Sequence, residues 1–416
     1  MKILMVNNFY YLRGGRERCF FDLTELLEQN GHEVIPFSMD HPRNFDSPYS
    51  DYFVSNVDFP NRLEKKNKVA SAFDVVERVM YSGEAKQKMR HIIADTEPDL
   101  VHVHGFMHEL SPSILTPIKD AGLPIVQTLH DFKILCPNTG FISNGEVCER
   151  CKVHRYYNVV LHRCKRGSLS ASMLAGVEMY VQKAFKLHEE KIDHFIAPSQ
   201  FLQNKVKAYG IKKPITNIPN FTHVDQFQPC YEPDDYFVYA GRLDKVKGID
   251  TLLDAMDQVE RSHLYIAGWG ENEDALRMRI AKRKVQNITF LGHLNTDELI
   301  GLIQRAAFVI VPSELYENYS MSVIESLACG TPVIGSEIGG IPEQVIDGWN
   351  GRRFQPGNVP DLANKINFML DHPETAVKMG INARKRVEQI NNPQMHYEQT
   401  LAVYQKVLQQ DFVPVI

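Results

Sequence analysis

The chain has 416 residues, of which 44% are hydrophobic and 23% are charged. One hydrophobic core seldom grows beyond roughly 250–300 residues, so this length predicts two domains. The first 225 residues carry 28 Lys and Arg against 26 Asp and Glu, and the remainder carries 18 against 25. A nucleic-acid-binding protein shows a strong basic stripe, so this balance argues against nucleic acid as a partner. No apolar run approaches the ~18–20 residues that span a bilayer, and no signal peptide follows Met1, so we expect a cytoplasmic protein.

Short, β-branched apolar segments recur at helix-sized intervals in both halves, which predicts an α/β fold with two doubly wound parallel sheets. The strands expected in the first half are Lys2–Asn8, Glu33–Met39, Leu100–Gly105, Ile125–Asp131 and His194–Ser199. Those expected in the second half are Phe237–Arg242, Leu264–Gly268, Ile288–Gly292, Phe308–Pro312 and Val333–Ser336. Ligands of such sheets bind at the carboxyl ends of the strands, so two facing sheets predict a cleft between them.

The domain limits follow from a proline-rich stretch in the middle of the chain. Four prolines lie in or beside Ile215–Pro233, which we expect to be the linker. The expected domains are 1–216 and 217–393, each Rossmann-like, with 394–416 returning to the first domain. Helices are expected at Pro360–Leu370, Pro373–Gln389 and Met395–Leu408.

The first candidate site residues follow the first predicted strand. Gly14 and Gly15 precede a helix that runs to about Asn30. Glycines there allow the backbone to approach a ligand, although the pattern is not the dinucleotide fingerprint and a plain tight turn explains it equally well.

Histidines lie at the ends of two later strands of the same half. His130 and Asp131 close the strand Ile125–Asp131 at the expected cleft edge, where His130 can donate or accept a hydrogen bond with a sugar or an acceptor. A structural histidine is the alternative. His102 and His104 have no carboxylate at ligand spacing, so we expect them to be structural or to support a neighbouring site residue.

A segment rich in cysteine follows, at 136–166. Cys136, Cys148, Cys151 and Cys164 have the spacing C-x11-C-x2-C-x12-C. In a cytoplasmic protein such a cluster favours a structural zinc site over disulfides, with free thiols as the alternative.

The same insert is basic and interleaved with aromatic and aliphatic residues. Its cations are Arg150, Lys152, Arg155, Arg163, Lys165 and Arg166. This composition predicts contact with an anionic membrane surface or a lipid-diphosphate acceptor, and hence a peripheral position at the inner membrane face. A solvated basic surface is the alternative.

Two cations follow the first strand of the second half. Arg242 leaves the sheet at its ligand-binding edge, and Lys247 lies at the entry to the next helix. Both can converge on one diphosphate and stabilise the charge that develops on a leaving nucleotide. Two unrelated surface cations are the alternative.

The most informative segment runs from Ser313 to Pro332. A helix is expected from about Ser320 to Cys329, with its positive N-terminal end in the cleft as an anion site. Glu317 precedes this helix and Glu325 lies inside it, so both can accept hydrogen bonds from sugar hydroxyls. A solvated pair of glutamates is equally compatible with the spacing.

In combination these motifs resemble retaining glycosyltransferases of family 4, of the bacterial polysaccharide and glycoconjugate type, which have the GT-B fold. The resemblance covers nearly the whole chain. It rests on Glu317-x7-Glu325, on Gly330-Thr331-Pro332 followed by Gly339-Gly340-Ile341-Pro342-Glu343, on Gly241-Arg242 with Lys247-Gly248, and on Gly14-Gly15.

The resemblance implies roles for the matching positions in binding a nucleotide-diphosphate sugar. Arg242 and Lys247 would hold the diphosphate, Glu325 the ribose and Glu317 the sugar, with His130 facing the sugar from the other domain. The remaining donor-binding positions would be Gly15, Gly268 to Glu271, Gly292 and Ser320.

The family retains anomeric configuration without a metal on the diphosphate, and its acceptors include glycans and lipid-linked sugars. This sequence departs from many relatives at Asn318 and Ser320, which stand where they have glycine. A sugar-nucleotide epimerase, a phosphorylase of the same fold, or a non-catalytic zinc-bearing nucleotide-binding protein remain alternatives.

Overall fold

The structure is a computed structural model that describes residues 1–56, 77–259, 261–270, 272–283 and 286–410. Its strands, in chain order, are β1 Lys2–Val6, β2 Glu33–Phe37, β3 Leu100–Val103, β4 Ile125–Thr128, β5 Ile142–Ser143, β6 Glu146–Val147, β7 His194–Ala197, β8 Ile215–Asn217, β9 Tyr236–Ala240, β10 His263–Ala267, β11 Ile288–Gly292, β12 Val309–Val311, β13 Val333–Ser336 and β14 Gly351–Phe354. The α-helices whose bounds fall in the described residues are α1 Gly15–Gln29, α2 Gly83–Thr96, α3 Leu115–Asp120, α4 Tyr157–Leu161, α5 Leu169–Ala184, α6 Gln200–Ala208, α7 Ile249–Ala255, α8 Glu273–Arg283, α9 Thr296–Gln304, α10 Met321–Ala328, α11 Ile341–Gln344, α12 Val359–Asp371, α13 Pro373–Ile390 and α14 Pro393–Gln410.

Two six-stranded parallel sheets form the cores of two domains, which confirms the predicted α/β architecture. The first sheet has the order β2-β1-β3-β4-β7-β8, and the second has the order β11-β10-β9-β12-β13-β14. Helices cover both faces, so the central strands are buried on both sides and need no polar alternation. Ile3, Leu4, Met5 and Val6 of β1, for example, are fully buried.

Two edge strands were missed by the sequence analysis. β8 lies within the stretch expected to be a linker, and pairs with β7 through Phe195 and Ile215. β14 pairs with β13 through Val333 and Gly351. Several strands are shorter than the sequence predicted. His130 and Asp131 lie in the loop after β4, and Arg242 lies in the loop after β9. These loops form the carboxyl edges of the sheets.

The last helix, α14, packs on the first domain, where the sequence placed a returning segment. Val403, Tyr404 and Val407 join the core that contains Phe20 and Leu27. The chain therefore crosses between the domains twice, and the two crossings touch. Asn391 Nδ2 donates to the Asn220 carbonyl at 2.6 Å, and the amide of Thr222 donates to the Asn391 carbonyl at 3.0 Å.

We retain 1–216 and 217–393 as proposed domain limits, with 394–416 as the returning segment. Residues 411–416 of that segment lie outside the described residues. Among the helices that the structure describes, none is long and apolar enough to cross a bilayer.

Candidate active site

A cavity of about 590 Å³ lies between the carboxyl edges of the two sheets. The first domain contributes Gly14, Gly15, Arg16, His130 and Asp131 to its lining. The second contributes Arg242, Lys247, Glu317, Asn318, Ser320 and Met321, together with the loop after β12. The predicted cleft therefore brings candidates from both halves of the sequence into one site.

Two helices begin at this cleft from opposite domains. α1 begins at Gly15 and α10 at Met321, and a Cβ atom placed on Gly15 would lie only 3.7 Å from Met321 Cγ. The N-cap residues Gly14 and Ser320 make no side-chain capping bond. Because amide groups and the positive dipole ends of both helices point to one place, the site suits an anion such as a phosphate.

Lys247 and Glu317 form an ion pair inside the cleft. Their Nζ and Oε1 atoms are 2.5 Å apart, and Ser313 Oγ donates to the same Oε1 at 2.5 Å. Burial raises the pKa of Glu317, but Lys247, Ser313 and Arg242 lower it by more, so the net pKa lies below its ordinary value. Glu317 is therefore an ionised acceptor beside a cation.

Arg242 reaches the same cavity with a side chain that is 64% exposed. Its guanidinium lies 3.1 Å from Asp244, and Tyr239 donates to its carbonyl at 2.6 Å. An exposed pair of this kind contributes little to stability, so Arg242 can turn towards an anionic ligand at small cost.

The loop that carries Glu317 rests on a pair of glycines. A Cβ atom on Gly339 would lie 2.5 Å from the Glu317 carbonyl oxygen, and one on Gly340 would lie 2.0 Å from that of Asn318. Real Cβ atoms do not approach this closely, so the motif Gly339-Gly340 is explained by its support of this loop. These glycines position Glu317 without lining the cavity.

His130 faces the cleft from the first domain and is half-buried. Its Nε2 lies 2.9 Å from Nδ1 of His104, and their rings stack at 5.0 Å. Burial, followed by the charge of Arg16, holds the pKa of His130 well below its ordinary range, so the ring is neutral at pH 7. Arg16 pairs with Asp131 at 2.5 Å. His104 therefore supports His130, which is one of the two roles expected for it.

Glu325 faces a second cavity, of about 360 Å³, instead of the main cleft. Its carboxylate pairs with Arg18 of α1, and Leu294 and Asn295 beyond β11 line the same space. Burial raises the pKa of Glu325, and Arg18 offsets only part of this effect. The two glutamates of the motif thus occupy adjoining cavities with opposite shifts in pKa.

The glycines expected near the nucleotide base have different environments. A Cβ atom on Gly268 would lie 1.8 Å from the Gly241 carbonyl, so close packing of two loops requires glycine there. Gly292 has φ of +71° and precedes His293, which lines the cavity beside Glu325. Glu271 lies outside the described residues.

The zinc site predicted at Cys136, Cys148, Cys151 and Cys164 is not supported. In the part of the chain that is described, no group of three or more His, Cys, Asp or Glu side chains is arranged to hold a metal ion. Arg150 donates to Cys148 Sγ at 3.8 Å, and Cys164 Sγ donates to Ser143 at 3.5 Å.

Three residues that contact the site's main groups were not singled out as functional by their chemistry. Arg16 and Arg18 lie one and three residues after Gly15 and pair with Asp131 and Glu325. Asn318 bridges the domains: its Nδ2 donates to the Leu129 carbonyl at 2.8 Å and its Oδ1 accepts from Ser199 at 2.9 Å. In the sequence, only their position next to Gly15 and Glu317 could have indicated that they belong to the site.

Two family profiles match the chain. Glycosyltransferase Family 4 matches residues 13–226, and Glycosyl transferases group 1 matches residues 221–386. Together they cover both sides of the cleft.

Known proteins align with nearly the full chain or with part of it. A glycogen synthase of Mycobacterium tuberculosis is 27% identical over 93% of this chain and 90% of its own length. The MMP alpha-(1->4)-mannosyltransferase of Mycolicibacterium hassiacum is 32% identical over 39% of this chain and 41% of its own.

Solved structures share the fold at low sequence identity. Sucrose-phosphate synthase from Thermosynechococcus elongatus superposes with a TM-score of 0.72 at 21% identity, over 98% of this chain and 99% of that one. Anabaena HepE in complex with UDP-glucose gives a TM-score of 0.64 at 18% identity, over 98% and 100% of the two chains. The fold is therefore GT-B, and the chain belongs to glycosyltransferase family 4.

Proposed function

We propose that this glycosyltransferase acts in the cytoplasm and transfers a hexosyl or related sugar, with retention of anomeric configuration, from a nucleotide-diphosphate sugar to a glycan or lipid-linked acceptor. The observation that carries the proposal is the convergence of two helix N-termini, Arg242 and Lys247 on one cavity, with His130 opposite. A site with these groups suits a diphosphate that carries a sugar. The UDP-glucose bound to Anabaena HepE supports the donor class.

The proposed roles follow from the charges around the cavity. When the bond between the anomeric carbon and the phosphate oxygen breaks, negative charge grows on the departing diphosphate. Lys247, Arg242 and the amides at the start of α10 would stabilise this charge without reorganising. The leaving group would therefore need no metal ion.

The sugar would lie between the diphosphate and His130. Glu317 is ionised and next to Lys247, so it can accept hydrogen bonds from sugar hydroxyls while Lys247 contacts the phosphate. Because Nε2 of the neutral His130 is bound to His104, its Nδ1 is left to form one hydrogen bond, which suits a hydroxyl better than a phosphate. Asp131, paired with Arg16, lies at the edge where an acceptor would enter.

The cavity beside Glu325 would take the ribose and base. Its carboxylate is the acceptor for ribose hydroxyls, and the loop His293–Asn295 would border the base. Because this cavity adjoins the main cleft through α10, one donor molecule can occupy both.

The experiment begins with a thermal-shift screen of nucleoside diphosphates and their sugars, since a ligand at 100 times its dissociation constant adds about 2.7 kcal/mol of stability. The stabilising donor is then incubated with a panel of glycan and lipid-linked acceptors, and the anomeric configuration of the product is read by NMR. A product with the donor's configuration supports the proposal. An inverted product, or isomerisation of the donor without any acceptor, contradicts it.

A further inference from the structure

Helix α5 presents an apolar stripe to solvent and buries several polar side chains. Its solvent side carries Leu169, Met173, Val177 and Tyr180, which are 48%, 50%, 52% and 42% exposed and recur at helical spacing. Its inner side carries the polar residues Ser172, Glu178 and Gln182 beside the apolar Ala175, Gly176 and Met179, all buried. Surface helices normally point the apolar stripe to the core and the polar side to water.

The orientation of α5 is fixed by its inner polar groups. Glu178 accepts from Lys133 Nζ at 2.6 Å, from Gln182 at 3.0 Å and lies 3.3 Å from His108. Ser172 accepts from the amide of Lys165 at 3.0 Å. Rolling the helix to bury its apolar face would carry Glu178 towards solvent and leave the buried ammonium of Lys133 without its partner, which is strongly unfavourable. The apolar face is therefore held outward.

The surroundings of this face are cationic. Residues 150–190 contain eight Lys and Arg and three carboxylates, of which Glu178 is buried and Glu189 pairs with Lys183. Arg163, Arg166 and Lys186 are exposed, and Leu161 and Phe185 at the neighbouring helix ends are 70% and 71% exposed. The surface therefore combines apolar side chains with an excess of positive charge.

We infer that this outer face of α5, with Leu161, Phe185 and the cations around them, is a docking surface for an anionic lipid bilayer. Apolar side chains enter the boundary between headgroups and acyl chains, while lysine and arginine contact the anionic headgroups. A second copy of the chain would bring like charges together, which disfavours it as the occupant.

The docking surface lies close to the cleft. Glu178, on the inner side of α5, binds Lys133, whose amide donates to Asp131 at the cleft edge at 2.9 Å. One helix, roughly 10 Å thick, thus separates the bilayer from the acceptor side of the site. This link to a membrane-held acceptor rests on the proposed function, whereas bilayer binding itself does not.

The test is sedimentation of the full chain with vesicles of phosphatidylcholine alone and of phosphatidylcholine mixed with phosphatidylglycerol. We expect binding to the mixed vesicles that falls as salt is raised. The double variant Arg163→Gln/Arg166→Gln should bind roughly 10- to 30-fold more weakly, and Met173→Gln/Val177→Gln should also lose binding. Met278→Gln, an equally apolar and 59% exposed position on α8, is the matched control and should bind normally.

Several outcomes would overturn the inference. They are failure to bind the mixed vesicles, equal binding to neutral vesicles, or an equal loss in Met278→Gln. A dimer that light scattering detects and that Val177→Gln dissociates would assign the face to a second copy instead. Nucleoside diphosphate binding is measured on the same samples, because a chain that binds vesicles but no nucleotide contradicts the proposed function alone.

Discussion

Arg18 of α1 and Glu325 of α10 form an ion pair that joins the two domains beside the smaller cavity. The side chain of Glu325 is only 12% exposed, so the pair is largely shielded from water. If this carboxylate holds the ribose, the ribose hydroxyls must share it with Arg18. Donor binding and contact between the domains are then coupled through one side chain.

Glu325→Gln should weaken binding of the preferred nucleoside diphosphate by roughly 10- to 100-fold, because a hydrogen bond to a charged acceptor is worth about 1.5–3 kcal/mol. Calorimetry measures the change. Asp371→Asn, which removes an exposed pair with Arg261, is the control. A dissociation constant within twofold of the parent protein's would remove Glu325 from the donor site.

Arg242→Ala and Lys247→Ala should each reduce turnover by roughly 100- to 1000-fold, because each removes one preorganised partner of the charge that develops on the diphosphate. Lys245→Ala provides the control, since Lys245 is exposed two residues away and does not line the cavity. Steady-state rates with the identified donor give the comparison. Near-normal rates in both folded variants would show that the diphosphate lies elsewhere.

Gly340→Ala should displace the Glu317 loop, because the added methyl group would lie 2.0 Å from the Asn318 carbonyl oxygen. We expect a loss of about 1–3 kcal/mol in stability and, from a misplacement of about 1 Å, roughly 100-fold in activity. Gly301→Ala lies in α9 with open space around it, and should instead stabilise the chain by about 0.5–1 kcal/mol. Thermal unfolding and activity assays on both variants measure these changes. Full activity in Gly340→Ala would contradict the role of Gly340 in positioning the Glu317 loop.

Glu178→Gln should destabilise the chain by about 3–5 kcal/mol at neutral pH, because it leaves Lys133 buried without its charge partner. Burial opposes ionisation of Glu178, but Lys133 and His108 more than offset it and lower its pKa from 4.5 to about 2. A depressed pKa stabilises the folded state above pH 4.5, and this contribution is lost as pH falls through 2. The difference in unfolding free energy between parent and variant should therefore shrink over that interval. A difference independent of pH there would refute the ion pair, and Glu146→Gln at an exposed position is the control.

Transfer should continue after brief EDTA treatment and without added magnesium. Two cations and two helix N-termini already face the proposed diphosphate position, so its charge is compensated by the protein. Initial rates before and after chelation, with magnesium restored in a third sample, provide the measurement. Loss of activity that magnesium restores would show that a metal takes part in donor binding.

The sequence predicted the central strands and the cleft between the sheets, because both depend on local patterns. Buried parallel strands are short apolar runs, and the residues just after them necessarily meet at one edge. The edge strands β8 and β14 escaped detection because an edge strand pairs on one side only and tolerates polar residues. Ile215–Asn217 contains Thr and Asn, and Gly351–Phe354 contains two arginines.

Contacts between distant residues were not predictable in this way. Arg18 and Glu325 are 307 residues apart, and nothing in either segment indicates the other. The outward position of the apolar stripe of α5 was equally unpredictable, because the buried polar groups on its inner side pair with Lys133 from another segment. The cysteine spacing suggested zinc because spacing alone does not reveal burial or competing hydrogen bonds.

The chain passes between the domains near Asn220 and again near Asn391, and these two connections are in contact. The C-terminal domain is therefore an insertion into the N-terminal one, and the two ends of the inserted segment lie next to each other. Recombining this chain with a relative of different donor preference therefore needs two cuts at one place in space. A chimera built at these two asparagines would keep the α14 core and the outer face of α5 intact while replacing the second domain as a unit.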